Sequence, residues 1–193
     1  MGANPISQAL VFLVDMVLGL YILAVLLRFL FQVVRADFYN PFSQALVTIT
    51  NPTLKPLRRT IPGLYGIDLA AVVLLLILQC LKNFIIWLIQ DVQPKPMGLV
   101  VVSAAELLQL TLWVFIIAIF IRVILSWVSP YAARQNPAVS LLNNLTEPLM
   151  RPARQVIRPM GGLDLSPIAV FVLLYLTIIL IVRPLLAFGY GLL

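Results

Sequence analysis

Four apolar runs in this chain are each long enough to cross a bilayer, and they leave little sequence for anything else. They extend roughly from Ala9 to Val34, Leu69 to Ile89, Leu99 to Val128 and Ile168 to Leu186. A helix rises 1.5 Å per residue, so about 20 residues span the hydrocarbon core. Backbone in hydrocarbon must satisfy its own N–H and C=O groups, which makes helices the expected form of these runs. Only 10% of the residues are charged, against about a quarter in soluble domains. The chain therefore reads as an all-α integral membrane protein with four transmembrane helices.

Side-chain inventory narrows the chemistry. There is no histidine, and the one cysteine, Cys80, lies mid-way along an apolar run, where it is a small packing residue. Disulfides, zinc sites, Cys–His nucleophiles and histidine acid–base catalysis are excluded. No pair of acids accompanies a nucleophile, so an enzyme is not expected, nor a catalytic, cofactor or metal site. The N-terminal "MGANPISQAL" carries no cation ahead of its apolar run and does not read as a cleaved signal, so the first helix is expected to be retained.

The cations fall on one side. Arg35, Lys55, Arg58 and Arg59 lie between the first two runs, and Arg134, Arg151, Arg154 and Arg158 between the last two, whereas Lys95 stands alone in the central linker. The positive-inside bias places both long loops in the cytoplasm and both termini outside, as expected of a multi-pass membrane protein.

Those two loops are copies. "NPFSQALVTITNPTLKPLRRTIPGLYGIDL" from Asn40 aligns without a gap on "NPAVSLLNNLTEPLMRPARQVIRPMGGLDL" from Asn136. Asn40/Asn136, Pro41/Pro137, Thr50/Thr146, Pro52/Pro148, Pro56/Pro152, Arg58/Arg154, Gly66/Gly162 and Asp68/Asp164 are among the identities, and Lys55/Arg151 keeps its charge. A match that includes turn formers and charges is an internal repeat. The expected organisation is one compact membrane domain of two parallel two-helix repeats, 1–93 and 97–193, with inserts at 36–68 and 130–166, related by a pseudo-two-fold axis along the membrane normal.

Each insert opens with a helix-start signal, Asn as N-cap and Pro at the first helical position. A short amphipathic helix is expected after it, with Phe42, Ala45, Leu46 and Ile49 forming the apolar stripe of the first copy and Val139, Leu142 and Leu145 that of the second. Proline recurs every few residues beyond, which predicts a broken, non-helical passage at the headgroup level. Lys55, Arg58, Arg59, Arg151, Arg154 and Arg158 are the candidate contacts for anionic lipids or a protein partner there. Gly66-Ile67-Asp68 and Gly162-Leu163-Asp164 then read as a turn and an N-cap aspartate, with Ser166-Pro167 a competing start in the second copy.

Ionisable residues within the apolar runs are functional candidates. Asp15 and Lys82 in the first half, and Glu106 and Arg183 in the second, stand at similar depth. They are expected to pair as Asp15–Lys82 and Glu106–Arg183, or across the halves. Gln79, Lys82 and Asn83 form a polar patch, and Arg28 and Arg122 are expected to snorkel to the insert-side interface.

"DFYNPFSQ", "TNPTLKPLRR" and "GIDLA" in one half, with "RVILSWV", "EPLMRPAR" and "GGLDLSP" in the other, resemble the two copies of the repeat of the YggT family, also called YlmG, of bacterial and plastid membrane proteins. The resemblance covers nearly the whole chain. It implies a scaffold or assembly factor whose partners are cell-division, envelope or membrane-assembly proteins, with self-association into a homo-oligomer open. A small channel or transporter in osmotic or ion balance is the alternative. Nucleic-acid binding is disfavoured, since the arginines are few, membrane-adjacent and not interleaved with exposed aromatics.

Overall fold

The computed structural model describes residues 4–64, 66–128, 136–157 and 164–192, and these form six helices. They are α1 (Pro5–Val33), α2 (Pro41–Thr60), α3 (Leu69–Ile89), α4 (Pro96–Val128), α5 (Pro137–Val156) and α6 (Ser166–Gly191). α1, α3, α4 and α6 are long and apolar enough to cross a membrane, the architecture of a multi-pass membrane protein.

Capping residues set the boundaries that hydropathy misses. α1 starts at Pro5, a turn before the apolar run, because Asn4 Oδ1 accepts from the Ile6 N–H at 3.1 Å and Pro fits the first helical position. It ends where Arg35 takes a φ of 52° and the Ala36 N–H reaches back to the Phe31 carbonyl at 2.8 Å, a Schellman closure with arginine where glycine is usual. Asp91, at φ 57°, closes α3 the same way through Val92 N–H and Trp87 O. α6 runs the full Ser166–Gly191, with a wider π turn over Ile178–Val182 just ahead of Pro184. Proline lacks the N–H for the preceding turn and crowds its carbonyl, and the wider turn absorbs that misfit without ending the helix.

The proline-rich passages are helical as far as Thr60 and Val156, which corrects the broken-chain expectation there. α2 continues through Pro52 and Pro56, and α5 through Pro148 and Pro152. All four prolines are exposed. Spaced one turn apart on the exposed side, they keep their rings off the packed face, and the helices continue through them.

The buried side of α2 also departs from its apolar stripe. Ser43, Thr50 and Leu54 are buried while Phe42 and Ile49 are more than half exposed. Thr50 turns inward because it receives a buried arginine from α1, which rotates the stripe outward. In α5 the buried residues are Val139, Leu141, Leu145, Thr146 and Met150, so Val139 and Leu145 of the expected stripe do face the bundle.

α1 packs along α3, α3 along α4, and α4 along α6. α2 lies across the ends of α1 and α3, α5 across those of α4 and α6, and α2 and α5 touch each other at that same end. One apolar core centres on Ile22, Val25, Leu26, Leu74 and Leu54, and a second on Ile119, Met150, Val170, Leu174 and Val182. Where α6 meets α4, a Cβ on Gly189 would come within 2.7 Å of Val102 Cγ2 and 3.1 Å of its backbone N, so only glycine allows the approach.

Candidate functional site

The insert end carries a pattern that occurs twice. From α1, Arg28 Nη1 donates to Thr50 Oγ1 of α2 at 2.6 Å; from α4, Arg122 Nη1 donates to Thr146 Oγ1 of α5 at 2.6 Å. Each threonine passes its own proton back one turn, Thr50 to the Leu46 carbonyl and Thr146 to that of Leu142. Both hydroxyls are fully used, as their complete burial requires. Arg28 is only 8% exposed. Neither arginine snorkels: each pins an insert helix to its spanning helix.

A second doubled contact joins the other end of each insert helix to the turn that follows. Arg58 Nε donates to Asp68 Oδ2 at 3.0 Å, with Nη2 on the same oxygen, and Arg154 Nε donates to Asp164 Oδ2 at 3.0 Å. Arg58 and Arg154 are thus engaged within the chain rather than free for lipid. Asp68 also caps α3, accepting from the Ala71 N–H at 3.3 Å. Asp164 sits one residue before the N-cap position of α6, Leu165, and accepts from the Ser166 N–H and hydroxyl. Partial burial pushes the Asp164 carboxyl up, and the Ser166 bonds and the Arg154 guanidinium outweigh it, holding it below its ordinary value of 3.8.

Asn40 and Asn136 each accept from the backbone N–H two residues on, with Pro41 and Pro137 at the helix starts. Asn40 does more: its Nδ2 donates to the Pro137 carbonyl at 2.7 Å, tying the two insert helices together. Lys55, Arg59 and Arg151 are exposed and make no ion pair among the described residues. Arg158 and the Gly162-Leu163 turn lie outside the described residues.

Sequence separation hid one difference that matters. Glu147 of α5 accepts from Arg122 Nη2 at 3.0 Å and lies 3.6 Å from Arg154 Nη1. Its counterpart in the ungapped alignment of the halves is Asn51. The second half therefore pairs its pinning arginine, Arg122, with an acid and the first does not.

A polar cluster occupies the opposite, linker end. Lys82 Nζ donates to Asp15 Oδ1 at 2.8 Å, joining α3 to α1. Glu106 of α4 is not paired with Arg183, which is exposed and makes no ion pair among the described residues. Glu106 Oε2 instead accepts from Gln79 Nε2 and Asn83 Nδ2 of α3, each at 2.7 Å, and Asn83 also reaches Ser103 Oγ at 3.1 Å. Arg183 directly follows the π turn and is exposed. The contact crosses between the halves, but with amides in place of a base. Asp15, Gln79, Lys82, Glu106 and Gln109 line a cavity of about 450 Å³.

The doubled Arg–Thr and Arg–Asp contacts have a counterpart in comparisons with known proteins, where one family profile, CCB3/YggT, matches twice, over residues 7–89 and 101–185. The chain belongs to the CCB3/YggT family. Among its relatives, an uncharacterized protein of Pseudomonas aeruginosa is 44% identical, the match covering 94% of this chain and 92% of the relative. An uncharacterized protein encoded in the proC 3′ region of Vibrio alginolyticus is 40% identical over 83% of this chain and 86% of its own length. The uncharacterized protein YggT of Escherichia coli K12 is 35% identical over 87% and 86%. No solved structure matches. Each CCB3/YggT segment of this chain contains one complete Arg–Thr pin, so the pins belong to the repeated unit.

Sequence reasoning missed Thr50, Thr146 and Glu147 as partners of the arginines. The signal was present: identical threonines in the two copies, at similar distances after an arginine near a helix end. Hydroxyls within an apolar stripe read as its polar flank until the packing shows which side is turned inward.

Proposed function

We propose that this protein is a scaffold or assembly factor of the bacterial inner membrane, built as two parallel repeats, whose paired insert helices form a cytoplasmic docking surface for a protein partner of the division, envelope or membrane-assembly kind. The observation that carries this reading is the union of α2 and α5. The Asn40–Pro137 bond and the contact of the two helices place both inserts at one end of the bundle. The Arg28 and Arg122 pins and the Arg58–Asp68 and Arg154–Asp164 bridges hold each insert on its own spanning helices. Such rigidity suits a platform, since a preorganised surface loses less entropy when a partner docks. The exposed cations Lys55, Arg59 and Arg151 provide its charge, and their excess over the lone Lys95 of the linker supports a cytoplasmic position. Relatives in Pseudomonas aeruginosa and Escherichia coli, matched over most of their length, support a bacterial setting, and the four apolar helices support the membrane.

A photoreactive side chain placed at position 60 or 155, where the exposed Thr60 and Gln155 lie beside these cations, tests this in living cells. A discrete protein adduct is expected that disappears when Lys55, Arg59 and Arg151 are all changed to Glu; adducts unaffected by that triple change would overturn the reading. Arg58 and Arg154 are left intact because replacing them would break bridges internal to the fold.

A second reading, conduction of ions or small osmolytes, draws on the polar cavity at the linker end. That cavity reaches Ile22 and Leu23, and Ile22 belongs to the dry core below it, which favours the scaffold. Flux across proteoliposomes under an ion gradient would reverse that preference.

A further inference from the structure

We propose that the first half holds an anionic phospholipid, with its phosphate in a cavity between α1, α2 and the turn leading to α3, and an acyl chain in the apolar groove beside it. The cavity is about 620 Å³ and is lined by Arg28, Arg35, Arg58, Ser43 and Asp68 among others. Three guanidinium groups face it against one carboxylate, and that carboxylate is already taken by Arg58. Both hydrogen bonds of Arg28 leave Nη1, to Thr50 Oγ1 and the Val47 carbonyl. Its Nε and Nη2 have no acceptor among the described residues, and no acid pairs with it. A buried guanidinium without a counter-ion is unfavourable, and a phosphate answers its planar fork of donors directly.

Two further observations point into the same space. Ser43 Oγ is buried without a hydrogen-bond partner among the described residues, and Ser43 is 6% exposed. Buried hydroxyls in folded chains are bonded, so Ser43 Oγ is a ready partner for a polar group placed in this cavity. Arg35 holds the left-handed conformation, which is strained for a side chain with a Cβ, and in doing so contributes its side chain to the cavity wall. The second half lacks this need, because Glu147 supplies to Arg122 the negative charge that Asn51 cannot supply to Arg28.

The neighbouring groove identifies the ligand as a lipid. It runs between α1, α2, α4 and α5, is about 450 Å³, and is walled by Leu23, Leu27, Phe42, Ile117, Ile121 and Leu141. Phe31 and Leu46 line both spaces. A basic cavity adjoining an apolar groove at the end of spanning helices matches an anionic headgroup with its chain, whereas free phosphate uses only the first.

The full-length protein in nanodiscs of phosphatidylglycerol or of phosphatidylcholine, released and weighed by native mass spectrometry, tests the assignment. One retained phosphatidylglycerol per chain is expected, with no comparable retention of phosphatidylcholine. Arg35→Gln, which removes a cation that makes no ion pair among the described residues, should reduce retention about tenfold, the scale of one lost charge-assisted bond. Asn51→Glu, which copies the second half, should displace the lipid to a similar degree. Equal retention of the two lipids by the unaltered protein, or unchanged retention in both variants, would overturn the proposal. Inorganic phosphate raising the melting temperature in detergent as much as phosphatidylglycerol does would overturn the lipid and leave a phosphate site. The outcome is independent of the scaffold reading, since neither residue belongs to the Lys55, Arg59 and Arg151 surface.

Discussion

The two halves of this protein use one framework and balance its charge differently. Both pin an insert helix with an arginine from the preceding spanning helix, and both lock the following turn with an Arg–Asp pair. The second half adds Glu147 between Arg122 and Arg154; the first has Asn51 there and keeps an open basic cavity. Duplication thus preserved the contacts that set geometry while one side chain made one copy self-neutralising and left the other dependent on an outside anion. The linker ends differ as well: an ion pair joins α1 to α3, and a glycine lets α6 approach α4.

The largest test of that contrast is at Gly189. Gly189→Leu would drive a side chain into Val102 and its backbone, and should cost about 3 kcal/mol or more by overpacking, seen as a large fall in melting temperature in detergent. The same change at Gly19, where an added Cβ meets nothing within 4 Å, should be nearly silent. Next is the first hairpin's joint: Asp15→Asn leaves Lys82, whose side chain is 15% exposed, without its acid and should cost about 2 kcal/mol. Adding Lys82→Met should restore most of the loss, and failure of the double variant to recover would show that the pair is not the source.

Smaller, and of opposite sign, are the exchanges at the insert end. Glu147→Gln should destabilise by about 1 kcal/mol, screened because the carboxylate is 45% exposed. Asn51→Glu should stabilise the lipid-free protein by a comparable amount. If both shift the melting temperature in the same direction, the two halves are not charge variants of one framework.

The smallest effect is acid dependence in the second half. The Asp164 carboxyl lies below its ordinary value of 3.8 in the folded chain, so its contribution is complete above that value and is lost as pH falls through the lowered one. Replacing Asp164 by Asn should flatten the acid limb of a stability-versus-pH curve and leave neutral pH little changed beyond the lost bridge.

Much of the architecture was legible in the chain. The four spanning runs were visible because burial in hydrocarbon admits only long apolar helices, and the doubled inserts because identical residues recur at one spacing. Asn-Pro pairs marked helix starts, although the one at Asn4-Pro5 was passed over and α1 was started too late. The proline-rich passages were misread, since whether a proline breaks a helix depends on which face it occupies, and that is settled by packing. Arg28 and Arg122 were misread for a related reason: a cation near a helix end snorkels only when nothing within the fold accepts its protons.

The sequence by itself determined that this is a helical membrane protein of two copied units with most of its cations toward one end, because apolar length, repeat identity and charge placement are properties of the chain read in order. The tertiary structure alone decided which side of α2 is buried, that Glu106 turns to Gln79 and Asn83 rather than Arg183, and that Arg28 is left without an acid. Those outcomes depend on residues distant in sequence reaching within about 3 Å of one another, and on which donors the packing aims at each acceptor.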